Sequence, residues 1–161
     1  MNGIYLIIGG NVGNRTDNLE KSKHFIQECI GLIQTHSSIY ESEAWGNTNQ
    51  SSFLNQVLFV KSSLDAKHIL KECLLIEKKM GRVRSQKWEE RIIDIDILFF
   101  NNDIIQTPHL KVPHPYIAER KFVLIPLCEI APNYMHPLFK KSISKLLNEC
   151  NDPLKVHLFE S

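Results

Sequence analysis

GRVRSQKWEERIIDIDILFF, residues Gly81 to Phe100, is the stretch on which both fold and chemistry turn. It opens as a basic loop with Arg82, Arg84, Lys87 and Arg91, and closes as Ile93-Asp94-Ile95-Asp96-Ile97. Side chains on a strand alternate between its faces. Asp94 and Asp96 therefore share one face, while Ile93, Ile95 and Ile97 point the other way into a core. Two carboxylates side by side repel unless a cation sits on them. A hard divalent ion such as Mg²⁺ prefers oxygen ligands and shares them with phosphates. Arginines just upstream offer planar donors to the same phosphates. The stretch reads as a site for a metal-bound polyphosphate. It reads as well as a solvated polar face of an amphipathic strand, and spacing alone leaves the two open.

Upstream, Ser62 or Ser63 is placed to cap a helix with Asp65 in its first turn. Ala66, Ile69, Leu70, Cys73, Leu74 and Met80 form its apolar stripe, and Gly81 is the expected C′ stop. Glu77 falls on or beside that stripe, either reaching solvent at the edge or held by a partner. Further back lie a strand at Phe53–Val60, a polar loop at Asn47–Ser52 and a strand from Thr35 to Trp45. The apolar run Ile4–Ile8, bounded by glycines, predicts a buried central strand. A turn, Gly9-Gly10-Asn11-Val12-Gly13, leads to a helix capped by Asp17, with Glu20 in capping-box position and Leu19, Ile26, Ile30 and Ile33 inward.

Downstream, Asn101-Asn102-Asp103 predicts a hairpin turn into a short return strand at Ile104-Ile105. Three prolines between Thr107 and Pro115 oppose regular structure. Helical patterns follow at Tyr116, at Phe122–Glu129 and at Ser142–Cys150, and Lys155–Phe159 alternates as an edge strand would. The order β-α-β-β-α-β gives an α+β class with a ferredoxin-like core: an antiparallel-dominated sheet with helices on both faces. The first strand and the Asp94–Asp96 strand are expected at its centre.

A chain of 161 residues suits one domain, 1–161, with one core. Its 43% hydrophobic and 23% charged residues are ordinary for a globular protein. A net charge of +1 argues against a nucleic-acid or membrane-surface partner. The charge is uneven, however: residues 78–91 hold six of the nineteen Lys and Arg, which suits a compact anion. Cys29, Cys73, Cys128 and Cys150 form no CxxC pair, so free thiols in a reducing cytoplasm are expected. No run approaches the ~20 apolar residues of a membrane span. No exposed heptad suggests an obligate partner, so a monomer is expected.

Taken together, GRVR-xx-KW-xx-R-xx-DIDIL, then VPHP, then ER-x-FVL-x-PL-x-EIAP, resembles the 6-hydroxymethyl-7,8-dihydropterin pyrophosphokinases of folate biosynthesis. IGGNVGNR at residues 8–15 and Phe53-Leu54-Asn55 are similar to the same family, and the likeness covers roughly residues 4–150. It implies transfer of the β,γ-pyrophosphoryl unit of ATP to the hydroxymethyl oxygen of the pterin, giving AMP and the pterin diphosphate. Asp94 and Asp96 inherit a role in holding two Mg²⁺ ions. Arg82 and Arg91 inherit a place in catalysis, and Glu77, Arg84, Lys87, Trp88, Arg91, Ile97, His114 and Arg120 a place around the nucleotide. Ser42, Ala44, Trp45, Phe53, Asn55 and Phe122 inherit the pterin site, with the two phenylalanines stacking on the ring and Asn55 reading its edge. Read from the residues alone, Phe53 and Phe122 are core packing.

The sequence departs from the family pattern at Ser42-Glu43-Ala44-Trp45, where Thr-Pro-Pro is common, and at Glu89-Glu90, where Gly-Pro usually follows the tryptophan. Gly10 replaces a serine, and Tyr116 stands where a basic residue is frequent. Two rival readings remain at this level: an RNA-binding ferredoxin-like module, and a relative that binds nucleotide or pterin without transfer. Residues 43–52 and 82–90 are the segments expected to close over ATP.

Overall fold

The computed structural model describes residues 1–44, 51–81 and 91–160. In chain order its elements are β1 (Asn2–Gly10), α1 (Arg15–Cys29), β2 (Leu32–His36), β3 (Tyr40–Ser42), β4 (Phe53–Ser62), α2 (Ala66–Lys79), β5 (Asp94–Phe100), β6 (Ile105–Gln106) and β7 (Lys111–Val112). A 3₁₀ turn (Ile117–Glu119), α3 (Lys121–Ile130), α4 (Ile143–Glu149) and β8 (Val156–Leu158) complete them. The main sheet runs β5-β1-β4-β3-β8, with β2 also on β4, and every pairing is antiparallel. This is the ferredoxin-like order with one added edge strand. No helix among the described residues is long and apolar enough to cross a membrane.

The sheet is covered on both faces. Ile4, Leu6 and Ile8 of β1, Leu54, Leu58 and Val60 of β4, and Ile95 and Ile97 of β5 pack with Ile93 against α1 and α2. Ile7, Val57, Leu98 and Phe99 pack against α3 and α4. The alternation that separates Asp94 and Asp96 from the isoleucines thus holds up to Ile97. It then breaks: Tyr5 pairs with Phe99 and Leu6 with Ile97, which leaves Leu98 as an extra residue. This β-bulge turns Leu98 and Phe99 to the same side.

Several sequence expectations need correction. β5 is an edge strand, not central, because β1 alone pairs with it among the described strands. The turn after Phe100 forms, with Asp103 donating to the Phe100 carbonyl at 3.0 Å, but Ile105–Gln106 pairs with Lys111–Val112 instead of returning along β5. The outer edge of β5 is already in use: the Ile95 N–H donates to the Glu77 carboxylate at 2.7 Å, and the His114 N–H donates to the Leu98 carbonyl at 3.0 Å.

The single strand expected over Thr35–Trp45 is two strands. The Ser37 hydroxyl accepts the Val57 N–H at 3.0 Å and so interrupts the ladder between β2 and β3. Asn14, not Asp17, caps α1, accepting the Asp17 N–H at 3.1 Å; the helix therefore starts earlier, and Ile33 belongs to β2. Asp65, not Ser62 or Ser63, caps α2. Leu74, expected inside, is 43% exposed, whereas Ile76 and Glu77 are buried. The C-terminal expectations hold: Ser142 caps α4, and β8 adds at the β3 edge.

Candidate active site

Strand register builds the floor of the site. Tyr40, Asn55, Gly9 and Asp94 are successive cross-strand partners, so they form one row on one face. The next row is Val57, Ile7 and Asp96. Two strand spacings, about 10 Å, separate Asn55 from Asp94. Gly9 lies between them because a Cβ there would collide with Asn55 Oδ1 and the Leu54 carbonyl. Above this floor opens a cleft. Ser42, Glu43, Phe53 and Asn55 line one wall, Phe122 and Val123 of α3 the other, and Arg91, Asp94, Asp96, His114 and Arg120 the end.

A second, more open cleft runs along the outer edge of β5. It is lined by Leu70, Leu74, Ile97, His109, Lys111 and Pro115, and it shares Asp96 and His114 with the first. This explains the exposure of Leu74: it faces a groove, not the core. A ligand crossing from one cleft to the other must pass over Asp96 and His114.

The charges at the junction are partly matched. Arg91 donates from Nη1 to Asp94 Oδ2 at 2.9 Å, so a cation already rests on one carboxylate. The Arg120 guanidinium carbon lies 4.7 Å from the Tyr116 ring centre and 5.6 Å from that of Phe122. Burial pulls its pKa down, while Asp96 and then weaker neighbours oppose this; arginine stays charged regardless. His114 is pushed down to about 4, first by burial and then by Arg120, with Asp94 acting the other way. Its Nδ1 accepts the Tyr116 N–H at 3.2 Å. The ring is thus neutral near pH 7, with its proton on Nε2 as a donor.

Glu77 lies 2% exposed beneath β5, its carboxylate on the Ile95 N–H, and it lines neither cleft. Of its two readings, this is the one in which a partner holds it. Ala44 is buried at 4% and also lies outside the lining, whereas its neighbours Ser42 and Glu43 belong to it. Trp45, Arg82, Arg84, Lys87 and Trp88 lie outside the described residues, as do most of the two segments expected to close.

Sequence reading missed four residues that hold the walls. Asn11, 4% exposed, donates to the Ser51 carbonyl at 3.0 Å and accepts the Arg91 N–H at 2.8 Å. Its own N–H donates to the Arg91 carbonyl at 2.9 Å. Asn11 therefore joins the points where the chain re-enters after both undescribed segments. Glu41 accepts from Arg15 at 2.7 Å and from the Ser52 hydroxyl at 2.7 Å, and these bonds hold its carboxyl below the usual range. Glu129 of α3 accepts the Tyr40 hydroxyl at 2.6 Å and the Ser38 N–H at 2.9 Å. Burial, then Glu129, pushes Tyr40 up to about 12. Asp152 accepts the Lys121 N–H at 3.0 Å. All four act through partners far away in sequence, which leaves no local pattern to read.

A model of the family described as 7,8-dihydro-6-hydroxymethylpterin-pyrophosphokinase (HPPK) matches residues 5–132. A protein of Aquifex aeolicus named 2-amino-4-hydroxy-6-hydroxymethyldihydropteridine pyrophosphokinase is 42% identical over 146 residues, 91% of this chain and 91% of the relative. A Bacillus subtilis protein of the same name is 40% identical over 132 residues, 81% of this chain and 79% of the relative. The crystal structure of Plasmodium falciparum HPPK-DHPS with pteroate superposes with a TM-score of 0.76 at 20% identity. That superposition covers 92% of this chain but 44% of the other, and at that identity it speaks for the fold alone. The chain belongs to the 7,8-dihydro-6-hydroxymethylpterin-pyrophosphokinase family.

Proposed function

We propose that residues 1–161 act as one pyrophosphokinase domain. It transfers the terminal two phosphates of ATP to the hydroxymethyl oxygen of 6-hydroxymethyl-7,8-dihydropterin, giving AMP and the pterin diphosphate. The observation that carries this reading is the row Asn55–Gly9–Asp94. It sets an amide at one end of a single cleft and a carboxylate at the other, about two strand spacings away. A flat ring between Phe53 and Phe122 gains burial and stacking, and Asn55 satisfies its pyrimidine edge. Its hydroxymethyl arm then points toward Asp94 and Asp96.

The nucleoside occupies the second cleft, against Leu70, Leu74 and Ile97, and the phosphates cross the junction at Asp96 and His114. His114 donates from Nε2 to a phosphate oxygen without adding charge. Arg120 and Arg91 supply positive charge, and Arg91 exchanges Asp94 for a phosphate when the nucleotide arrives. Glu77 holds β5 in place through the Ile95 N–H. Arg82, Arg84, Lys87, Trp88 and Trp45 complete the site from segments outside the described residues.

Asp94 and Asp96 fit Mg²⁺. They are oxygen donors on one face of a rigid strand, and among the described residues no group of three His, Cys, Asp or Glu forms a protein-only cage. That set suits an ion that takes one or two carboxylates and completes its shell with phosphates and water. Two bound Mg²⁺ ions would neutralise the triphosphate and align the attacking and leaving oxygens. The unpaired state of all four cysteines favours a reducing, cytoplasmic setting, and we take the working unit to be a monomer.

The test is product identity. With ATP, Mg²⁺ and the reduced hydroxymethyl pterin, AMP and a pterin diphosphate should form. ADP in their place, or no turnover, would refute the assignment.

A further inference from the structure

The two walls of the first cleft belong to separate parts of the chain, and one short C-terminal segment touches both. The Phe122 wall begins at the first turn of α3. Arg120, the residue before that helix, makes no side-chain cap, because its guanidinium carries donors only and has no acceptor for an N–H; it lies over the rings of Tyr116 and Phe122. The Lys121 N–H is instead taken by Asp152 Oδ2 at 3.0 Å, from 31 residues away. Asp152 is 6% exposed, and its other oxygen accepts the Leu154 N–H at 3.0 Å, so the carboxylate is fixed at both ends. A carboxylate at a helix N-terminus is also favoured by the aligned peptide dipoles.

Four residues after Asp152 the same segment reaches the opposite wall. β8 pairs with β3 in the register Ser42↔Val156, Glu41↔His157 and Tyr40↔Leu158. The Phe159 N–H continues the contact to the Ile39 carbonyl at 2.9 Å. His157 Nε2 lies 3.3 Å from Glu41 Oε1, the carboxylate that also holds Arg15 and Ser52. β3 has only three residues and would otherwise present a bare edge beside the cleft. Four residues of extended chain span at most about 14 Å, so the two attachments cannot drift far apart.

We propose that residues 152–159 form a strap that, alongside the direct bonds of Glu129 to Tyr40 and Ser38, sets the gap between the wall of Phe122 and the wall of Ser42 and Phe53, with Asp152 and His157 as its positioning residues. The proposal rests on the reading of that cleft as the pterin site. Ring stacking is steep in distance: a gap of about 0.5–1 Å forfeits a quarter to a half of the contact. The strap thereby governs affinity for the flat ring. The second cleft is built from α2, β5 and the His109–Pro115 segment, none of which the strap touches through these bonds. The family match ends at residue 132, so the motifs that define the family do not include the strap.

The experiment compares the full-length protein with Asp152→Ala, Asp152→Asn and His157→Pro, the last because proline interrupts a strand. Initial rates give KM for pterin and for ATP separately, and thermal melts give stability. Asp152→Ala and His157→Pro should each raise the pterin KM on the order of tenfold, since misplacement by about an ångström costs up to a hundredfold. The ATP KM should stay within about twofold. Asp152→Asn, which keeps one acceptor, should fall between wild type and alanine. If Asp152→Ala does not fold, the other two variants decide. A lower melting temperature with an unchanged pterin KM, or an equal rise in both KM values, overturns the strap alone. A wild-type protein that makes no AMP overturns the function and the strap together.

Discussion

His114-Pro115 and His136-Pro137 are the same local device used twice. In each, histidine Nδ1 accepts the N–H two residues on, from Tyr116 at 3.2 Å and from Leu138 at 3.2 Å. In each, burial drives the pKa down to about 4, so the ring is neutral at pH 7. Both attach to the β5 bulge: the His114 N–H bonds the Leu98 carbonyl, and the His136 ring lies edge-on to Phe99 at 5.5 Å. The difference is what closes the free side. His136 is 2% exposed, with the Phe139 ring stacked on it at 4.2 Å and 12°. His114 opens onto the cleft and has Arg120 and Asp94 for company. A neutral imidazole with a committed proton is thus core filler on one side of the bulge and, in the proposed reaction, a phosphate donor on the other. The turn does not decide which; the sheet does.

The largest effect that would sharpen this contrast is on the cleft side. Asp94→Ala and Asp96→Ala should each lower turnover by on the order of a thousandfold or more, because the loss of metal-held charge stabilisation is worth several kcal/mol. Both carboxylates face the cleft, so chemical denaturation should shift by no more than about 0.5 kcal/mol. AMP release and urea melts on the same preparations check both halves. Loss of fold in place of turnover would make the cleft side as structural as the His136 side.

Next comes the direct swap. His114→Ala should lower kcat/KM for ATP on the order of a hundredfold, with little change in stability. His136→Ala should do the reverse. It leaves the N–H groups of Leu138 and Phe139 without their acceptor and opens a cavity beside Phe99, at a cost of about 2–3 kcal/mol. Its KM values should match wild type. Similar kinetic losses in both variants would erase the distinction.

The pH dependence follows from the same shifts. Unfolded histidine titrates near 6.5, whereas burial brings folded His136 down to about 4. Between those values the unfolded chain binds more protons, so stability falls as pH drops from about 6.5 toward about 4 and levels off below. Asparagine at position 136 retains an acceptor but does not titrate. The urea midpoint of His136→Asn should therefore fall less steeply than wild type across that window, and equal slopes would place the titration elsewhere.

Much of the α1–α2 face of the sheet was legible in the sequence, because alternation along β1, β4 and β5 maps directly onto one uniformly apolar layer. That Asp94 and Asp96 share one face was legible for the same reason; what they hold was not, because spacing alone left a solvated polar face equally open. The bulge at Leu98 was not, since an extra residue in an apolar run leaves no mark on composition. The edge position of β5 was hidden because Glu77 and the His114 backbone cover it in place of a strand, and both lie far away in sequence. His114 was found through its resemblance to a family motif; its own residues read no differently from His136. Gly9 carried a weak signal, a glycine closing an apolar strand, whose cause is visible only with Asn55 beside it.

The smallest effect concerns the lid on the packed histidine. Phe139 is 48% exposed, so its removal forfeits little burial. What it does supply is a stacked face that keeps water from His136, and such a ring pair is worth about 0.5–1.5 kcal/mol. Phe139→Ala should therefore cost about 1 kcal/mol and leave turnover untouched. It should also let the His136 pKa rise from about 4 toward 6.5, readable as a shift in the ring-proton titration by NMR. If the pKa stays low without the ring, the Nδ1 bonds from Leu138 and Phe139 suffice to hold the neutral form. His114, which among the described residues has one such bond and no stacked ring over it, would then owe its neutrality to the same backbone donation and less to burial.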